Sequence, residues 1–516
     1  MSLVGAPPAA VWLLLFAALI GLAAWRLRPL LVPAWSGGAA RLAEVVLGIS
    51  LAVVLAECLG LVGLMRGAWL IAGAATLAVA ASLAALRLAP ERGAAEAPAR
   101  SWELAAAGAL AFLLIAVWML GALSVLDGGP MAFDSLWYHL PLAADFARSG
   151  SVTGIPALDP LTLARFYPAD SELVHATAMA IVHRDVLSPL LNVGWLAVAM
   201  LGAWCIGRAF GAAPLALLGA AVILGSHVLA VSQPGSATDD VVVTASLLSA
   251  AGLLATALGP AAAGRRGPGP GGAILIAGLA AGIAVGTKLN AGIPIAVLTV
   301  GLAVVAPAGS RWRSIGLWIA GLLATGGLWY ARNLFATGNP LPWLHAIGPI
   351  GLPGPSGAAG IRPAFTVAHY LTDGGAWSNY FLPGLRVELG DLWPLTMALA
   401  LAGMVSTALR GAAPVARALG VCALAGAAAY LVTPLSAGGA EGHPIVFATN
   451  LRWLAPFLAL GLALLAASPL AADRWGRIAV AVLLATPLAA ALDLGTWSSD
   501  PNLGAAAAVA AAAAAV

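Results

Sequence analysis

Apolar runs of about eighteen residues or more recur from residue 9 to residue 495, and they leave few folds open. In lipid every backbone N–H and C=O must find a partner within the protein, so a spanning segment is a helix or a strand of a closed barrel. Runs of this length fit helices, since a barrel strand needs only about 9–11 residues. The chain therefore reads as all-α, a polytopic helical membrane protein. Its 516 residues are 61% hydrophobic and 9% charged, where a soluble domain carries about 25% charged residues. The 61 glycines fit close helix packing in a bilayer. A net charge of +3 is too small to suggest a nucleic acid partner. Cys58, Cys205 and Cys422 each fall inside an apolar run and read as packing residues, with neither a disulfide nor a metal set.

Read by run length, the spans fall near 9–25, 43–65, 68–86, 103–126, 187–207, 212–231, 240–258, 272–287, 289–307, 314–334, 391–409, 415–433, 452–468 and 478–495. This gives roughly thirteen or fourteen transmembrane helices. The N-terminus lacks the basic flank of a cleavable signal, because Arg26 and Arg28 follow the first apolar run. Basic residues collect in alternate loops: Arg26, Arg28 and Arg41; Arg87, Arg92 and Arg100; Arg208; Arg265 and Arg266; Arg311 and Arg313; Arg410 and Arg417; Arg474 and Arg477. The positive-inside rule puts these loops in the cytoplasm and leaves Arg66 on the other side. The N-terminus and the loops 127–186, 232–240, 335–390 and 434–451 are then extracytoplasmic, in a multi-pass protein of the cytoplasmic (inner) membrane.

This topology sorts the chemistry. Inner loops are short, basic and poor in motifs, whereas the outer loops are long and varied. There is no Gly-rich phosphate cradle of the strand-to-helix kind. Any reaction belongs to the outer face, where nucleotide-activated donors are absent and a lipid-linked donor meets the constraint. We divide the chain into N-terminal helices (1–102), a membrane core with the outer loop 127–186 (103–335), an extracytoplasmic loop (336–390) and C-terminal helices (391–516). The alanine-rich tail after Gly504 carries no functional signal.

The first long outer loop holds Phe133-Asp134-Ser135-Leu136-Trp137-Tyr138-His139-Leu140-Pro141. At helical spacing Asp134, Trp137, Tyr138, Pro141, Asp145 and Arg148 share one face, and Phe133, Leu136, Leu140, Ala144 and Ala147 another, as in a helix lying on a membrane surface. Pro141 marks a kink or a fresh helix start. The stretch resembles the first-loop motif of the GT-C superfamily, polytopic glycosyltransferases that use polyprenyl-phosphate sugars, as in the protein O-mannosyltransferase and aminoarabinose-transferase branches. Further segments resemble that family in order: Arg165-Phe166-Tyr167-Pro168, Thr238-Asp239-Asp240, Gly286-Thr287-Lys288, Trp329-Tyr330-Ala331-Arg332-Asn333 with Thr337-Gly338-Asn339-Pro340, and Asn450-Leu451-Arg452-Trp453. Together they span about residues 103–470. Two departures stand out: about three spans precede the one, 103–126, that leads into the acidic loop, and Asp134 has no acidic neighbour.

The resemblance implies a GT-C-like core with interfacial helices in the first long outer loop. It implies an inverting transfer of a sugar from a polyprenyl-phosphate donor to the hydroxyl of a glycan, lipid or protein acceptor. Asp134 is then the catalytic base. Asp239, Asp240 and Tyr138 serve the acceptor or a second acidic site. Lys288, Arg332, Arg452 and His443 meet the charge of the leaving lipid phosphate. No cofactor is expected. A divalent metal is not favoured, since no pair among His139, His175 and His443 has metal-ligand spacing on one helix.

Each residue also has a plainer reading. Asp134 can cap a helix, Asp239 and Asp240 can open one, and each cation can snorkel to the interface. The aromatic-rich loop 335–390 is either a lid over the site or part of an interfacial belt. The alternative function is a transporter or flippase for lipid-linked glycans. That reading calls for internal repeats and midplane charges. No repeat is visible, and the polar residues concentrate at the outer face.

Overall fold

The computed structural model describes residues 7–88, 98–126, 128–130, 132–156, 158, 163–262, 269–355, 365–492 and 502–514. Asp127, Arg92, Arg265 and Arg266 lie outside the described residues. Among the described residues the regular structure is helical, apart from a hairpin pairing Ala346–Ile347 with Ile350–Gly351 and an isolated bridge between Ala440 and His443.

Every expected span falls on a helix. Eight described helices are long and apolar enough to cross a membrane alone, and three helix pairs bent at short breaks raise the number to as many as eleven. The expected spans at 212–231 and 272–287 fall on shorter apolar helices, Ala213–Leu224 and Gly271–Thr287. At a rise of about 1.5 Å per residue these reach roughly 18 and 26 Å, short of a hydrocarbon core of about 30 Å. Length alone therefore gives fewer crossings than counting apolar runs.

Helix Asp240–Leu258 is the axis of the bundle. In its most apolar stretch 89% of residues are buried, against 22% for the peripheral helix Gly67–Leu88. Lipid tails are as apolar as leucine, so such a helix is held by close packing instead of by escape from water. Glycines make that approach possible. A Cβ on Gly202, in helix Ser188–Ala209, would lie 2.8 Å from the Leu248 carbonyl carbon. Inside the axis, Thr244 and Thr256 donate to the carbonyls of Asp240 and Gly252, at 2.8 and 2.7 Å, and so hide their hydroxyls in the dry interior.

The folded chain separates the two kinds of loop. Arg28 and Arg41 both meet Glu44, at 3.2 and 2.5 Å. Arg208 lies 3.6 Å from Glu103, and Arg477 donates to the Gly211 carbonyl at 2.9 Å. These are loops expected inside. The acidic motifs from loops expected outside meet one another elsewhere, as described below.

The first outer loop carries helices, beginning with a π-turn over Ser135–His139 in which the Leu140 N–H reaches back to the Ser135 carbonyl. It runs into helix Leu140–Ser149, with Pro141 near its start, where a missing N–H costs nothing. The π-turn holds one residue more than an α-turn, so offsets of three and four do not carry a single face through it. Asp134 and Tyr138 turn inward, whereas Arg148 is exposed. The strip Phe133 and Leu136 is exposed, and a different set, Leu142, Ala143 and Phe146, is buried in the protein. A second π-turn, Trp377–Phe381, precedes Leu382–Leu389 with Pro383 near its start.

Candidate active site

The ion-pair network starts at the second outer loop. Asn192 donates its side-chain amide to the carbonyls of Gln233, Ser236 and Thr238, at 3.0, 3.1 and 2.8 Å. Ser135, in the π-turn, accepts from the Ala237 N–H at 2.9 Å and ties the first outer loop to the second. Gln233 accepts from the Val241 N–H at 3.1 Å and donates to Asp240 at 3.3 Å. Loop 233–238 is thus fixed from three sides, and Asp239 and Asp240 follow it at the head of the axial helix.

Both acids are buried and both meet Lys288, whose ammonium lies 2.6 Å from Asp239 Oδ1 and 2.6 Å from Asp240 Oδ1. Burial alone would disfavour the ammonium, but the two carboxylates hold its pKa above the ordinary lysine value. Arg452 completes the group. Its Nη2 pairs with Asp134 Oδ2, and its Nε lies 3.3 Å from Asp240 Oδ2. The charges of Asp134, Asp239 and Arg452 all act on Tyr138, whose hydroxyl is pushed well above its usual pKa, first by burial and then by the two carboxylates. Asp134, Tyr138, Asp239, Asp240, Lys288 and Arg452 therefore share one site, built from four separate stretches of chain.

The other motifs are tied to this group or to one another. Asn290 donates to the Trp453 carbonyl at 3.3 Å, and the Lys288 ammonium lies 5.9 Å from the Trp453 ring. Arg332 and Asn333 donate to the carbonyls of Arg165 and Phe166, at 2.9 and 2.8 Å. Arg332 is buried, its guanidinium lies 4.9 Å from the Trp329 ring, and its Nε and Nη1 have no hydrogen-bond partner among the described residues. His443 is placed differently. It is exposed, its Nδ1 lies 2.6 Å from the Tyr380 hydroxyl, and it stands beside a His369–Glu441 pair at 2.8 Å. None of its contacts is with the acid–cation group.

Glu172 and Asp170 were not read from the sequence, and His139 and His175 were read only as possible metal ligands. His139 is buried with its Nδ1 2.6 Å from Glu172 Oε1. Burial pulls its imidazole down, but the Glu172 carboxylate more than offsets this and leaves its pKa raised. One ligand atom each from His139, Glu172 and Asp239 lie within 4.8 Å of one another. That nitrogen–oxygen set suits a zinc- or manganese-type ion. The Lys288 ammonium on Asp239 and the His139–Glu172 bond already satisfy much of it. Asp170 accepts from the Trp329 indole at 2.6 Å. Its carboxyl is pushed well above the usual range, first by burial and then by Glu57, which faces it from the second span. A side chain on Gly286 would collide with Asp170, which accounts for the glycine beside Thr287-Lys288. His175 meets Ser188 at 2.6 Å, and burial lowers its pKa to about 3, so it is neutral.

No family model matches the chain, and no curated protein matches it. Two solved structures resemble it. ArnT from Cupriavidus metallidurans, bound to undecaprenyl phosphate, is 16% identical with a TM-score of 0.44, the match covering 78% of this chain and 69% of ArnT. The archaeal oligosaccharyltransferase AglB from Archaeoglobus fulgidus, in complex with an inhibitory peptide and a dolichol-phosphate, is 14% identical with a TM-score of 0.41. That match covers 80% of this chain and 56% of AglB, so the chain spans little more than half of AglB's length. Likeness of this degree carries no functional argument; the residues of the site do.

Proposed function

We propose that this chain is an inverting glycosyltransferase that moves a sugar from a polyprenyl-phosphate donor to an acceptor hydroxyl at the outer face of the cytoplasmic membrane. One observation carries the reading: a carboxylate, Asp134, and two cations suited to phosphate, Arg452 and Lys288, share one network assembled from separate outer loops. Asp134 takes the proton of the acceptor hydroxyl as its oxygen attacks the anomeric carbon. The bond from that carbon to the phosphate oxygen breaks on the opposite face, inverting the centre. Polyprenyl phosphate departs with the electron pair, and the cations meet its charge. Arg332, with two buried nitrogens that lack a hydrogen-bond partner, supplies further donors to the phosphate, since such groups are costly to leave unpaired. Asp239, Asp240 and Tyr138 orient the acceptor.

In the resting state Arg452 holds Asp134. A donor phosphate competes for that guanidinium and frees the carboxylate, so donor binding readies the base. The test uses purified protein in nanodiscs, given either a polyprenyl-phosphate sugar or a nucleotide sugar. Transfer is expected only from the lipid donor. Transfer from the nucleotide sugar without a lipid carrier overturns the reading. Failure with every prenyl donor, together with movement of a labelled glycolipid between leaflets, turns it towards the flippase.

A further inference from the structure

Away from the acid–cation group, a groove of about 590 Å³ opens between helices Leu140–Ser149 and Asp170–Val182 and the start of Gly67–Leu88. Its floor is apolar, made by Leu140, Ala144, Ala147, Met179 and Ala180. Its rim carries Arg66, Arg148, His183 and Arg184, all exposed. The packing that builds it is tight. The Met65 N–H donates to the Gly150 carbonyl at 3.0 Å, and a Cβ on Gly67 would lie 2.9 Å from the Ala180 carbonyl oxygen. Arg66 is thereby fixed between the end of one helix and the face of the next.

The rim is left positive. Its acid, Asp185, is used locally, accepting from the Ser188 N–H at 3.2 Å. Arg148 makes only a long, exposed ion pair with Asp145, at 3.9 Å, which contributes little. Among the described residues neither Arg66 nor Arg184 has a carboxylate partner. Arg66, like Arg148 and Arg184 in loop 127–186, falls on the outer side in the alternation of basic loops. The residues flanking it, Leu61, Val62, Leu64 and Trp69, are large, apolar and exposed. Guanidinium groups standing beside exposed leucine and tryptophan at the end of two spans match the boundary between head groups and acyl chains.

We propose that this groove binds an anionic phospholipid of the adjoining leaflet. The phosphate sits among Arg66, Arg148 and Arg184, whose planar forks suit its oxygens. An acyl chain lies along Ala144, Ala147 and Met179. The occupant is a lipid and not a free anion because the floor offers no polar group to a small ion and continues the apolar strip of Leu140. The inference is independent of the proposed transfer reaction. Its role is to seat the first outer loop on the membrane through helix Leu140–Ser149, whose start lies directly after Tyr138 and His139.

The test is native mass spectrometry of the full chain, delipidated in detergent and offered equal phosphatidylglycerol and phosphatidylcholine. The chain is expected to retain the anionic lipid preferentially. Arg66→Gln and Arg184→Gln should each lower that retention about fivefold, as expected for one basic residue at an anionic surface. Arg386→Gln, at an exposed arginine paired with Asp391, should leave it unchanged. A melting curve confirms that each variant is folded, and Arg148→Gln replaces any that is not. Equal retention of both lipids, or the same retention in every groove variant, overturns the proposal. So does complete displacement of the lipid by millimolar inorganic phosphate, which would make the groove a plain anion site.

Discussion

Lys288 bridges Asp239 and Asp240, placing its ammonium 2.6 Å from one oxygen of each. Two neighbouring carboxylates at the head of a buried helix repel each other and are tolerated only with a cation between them. Lys288→Met removes that cation and strands both acids. The expected cost is about 3–5 kcal/mol, as for one partner lost from a buried pair. It should appear as loss of folded protein by size-exclusion fluorescence, with Lys288→Arg recovering much of the yield.

Asp134→Asn should abolish transfer and leave the fold in place. The amide keeps the size and an oxygen for Arg452 but cannot take the acceptor's proton. Arg452 retains Asp240 within 3.3 Å, so the expected loss of stability is modest, about 1–3 kcal/mol. The pair of measurements is turnover and melting temperature. Asp134 makes no capping bond, so substantial turnover in Asp134→Asn, with Asp134→Leu merely unfolding, would reduce it to a structural partner of Arg452.

Replacing Arg332 or Arg452 with Ala should weaken use of the lipid donor about ten- to a hundredfold, since each charge-assisted bond contributes roughly 1.5–3 kcal/mol. Lys should rescue each only in part, because a point charge lacks the bidentate fork. The two positions should differ in stability. Arg452→Ala strands Asp134, whereas Arg332→Ala gives up the bond to the Arg165 carbonyl and two nitrogens that have no hydrogen-bond partner. Donor titrations and melting curves on the same preparations separate the two effects.

Stability should fall as pH rises above about 6.5. Asp170 has a folded-state pKa well above the usual carboxylate range, raised by burial and then by Glu57. Such a group stabilises the fold fully below its unfolded value, near about 4, and that contribution is lost as pH climbs through the folded value. His139, also raised, acts in the same sense from about pH 6.5 upward. Buried His175, its pKa lowered to about 3, works in the opposite sense up to about pH 6.5, so melting temperature should decline between about pH 6.5 and 9. Asp170→Asn, which keeps an acceptor for Trp329, should flatten the decline; an unchanged slope would remove Asp170 from this account.

Chelation should leave transfer within about twofold, because Lys288 and the His139–Glu172 bond supply charge that a metal would otherwise bring. Loss of activity in chelator, restored by added manganese, would instead put an ion among His139, Glu172 and Asp239.

The helical membrane architecture was legible because apolar run length is a direct consequence of bilayer thickness. The grouping of Asp134, Asp239, Asp240, Lys288 and Arg452 was legible through topology, which puts loops of one kind at one end. The same argument put Arg332 with them, but its hydrogen bond is to the Arg165 carbonyl, and among the described residues no hydrogen bond or ion pair joins it to that group. Glu172 stayed hidden because an acid in the first turn of a helix needs no further explanation, and its partner His139 lies 33 residues away. Asn192 did carry a signal: a lone amide inside an apolar span has to satisfy its hydrogen bonds within the protein. The shift of face after Tyr138 was not visible, since an α-helical period says nothing of a π-turn.

That π-turn makes chain length part of the site. An α-helix turns about 100° and rises about 1.5 Å per residue. Deleting one residue between Ser135 and His139 would let the segment relax into a plain α-helix. Either Leu142, Ala143 and Phe146 would then swing more than a quarter turn out of the core, or Asp134 would swing off Arg452. No change of side chain can repair that choice. Between Asp134 and Leu142 the number of residues is fixed by two surfaces at once, the charged cluster on one side and the packed interior on the other.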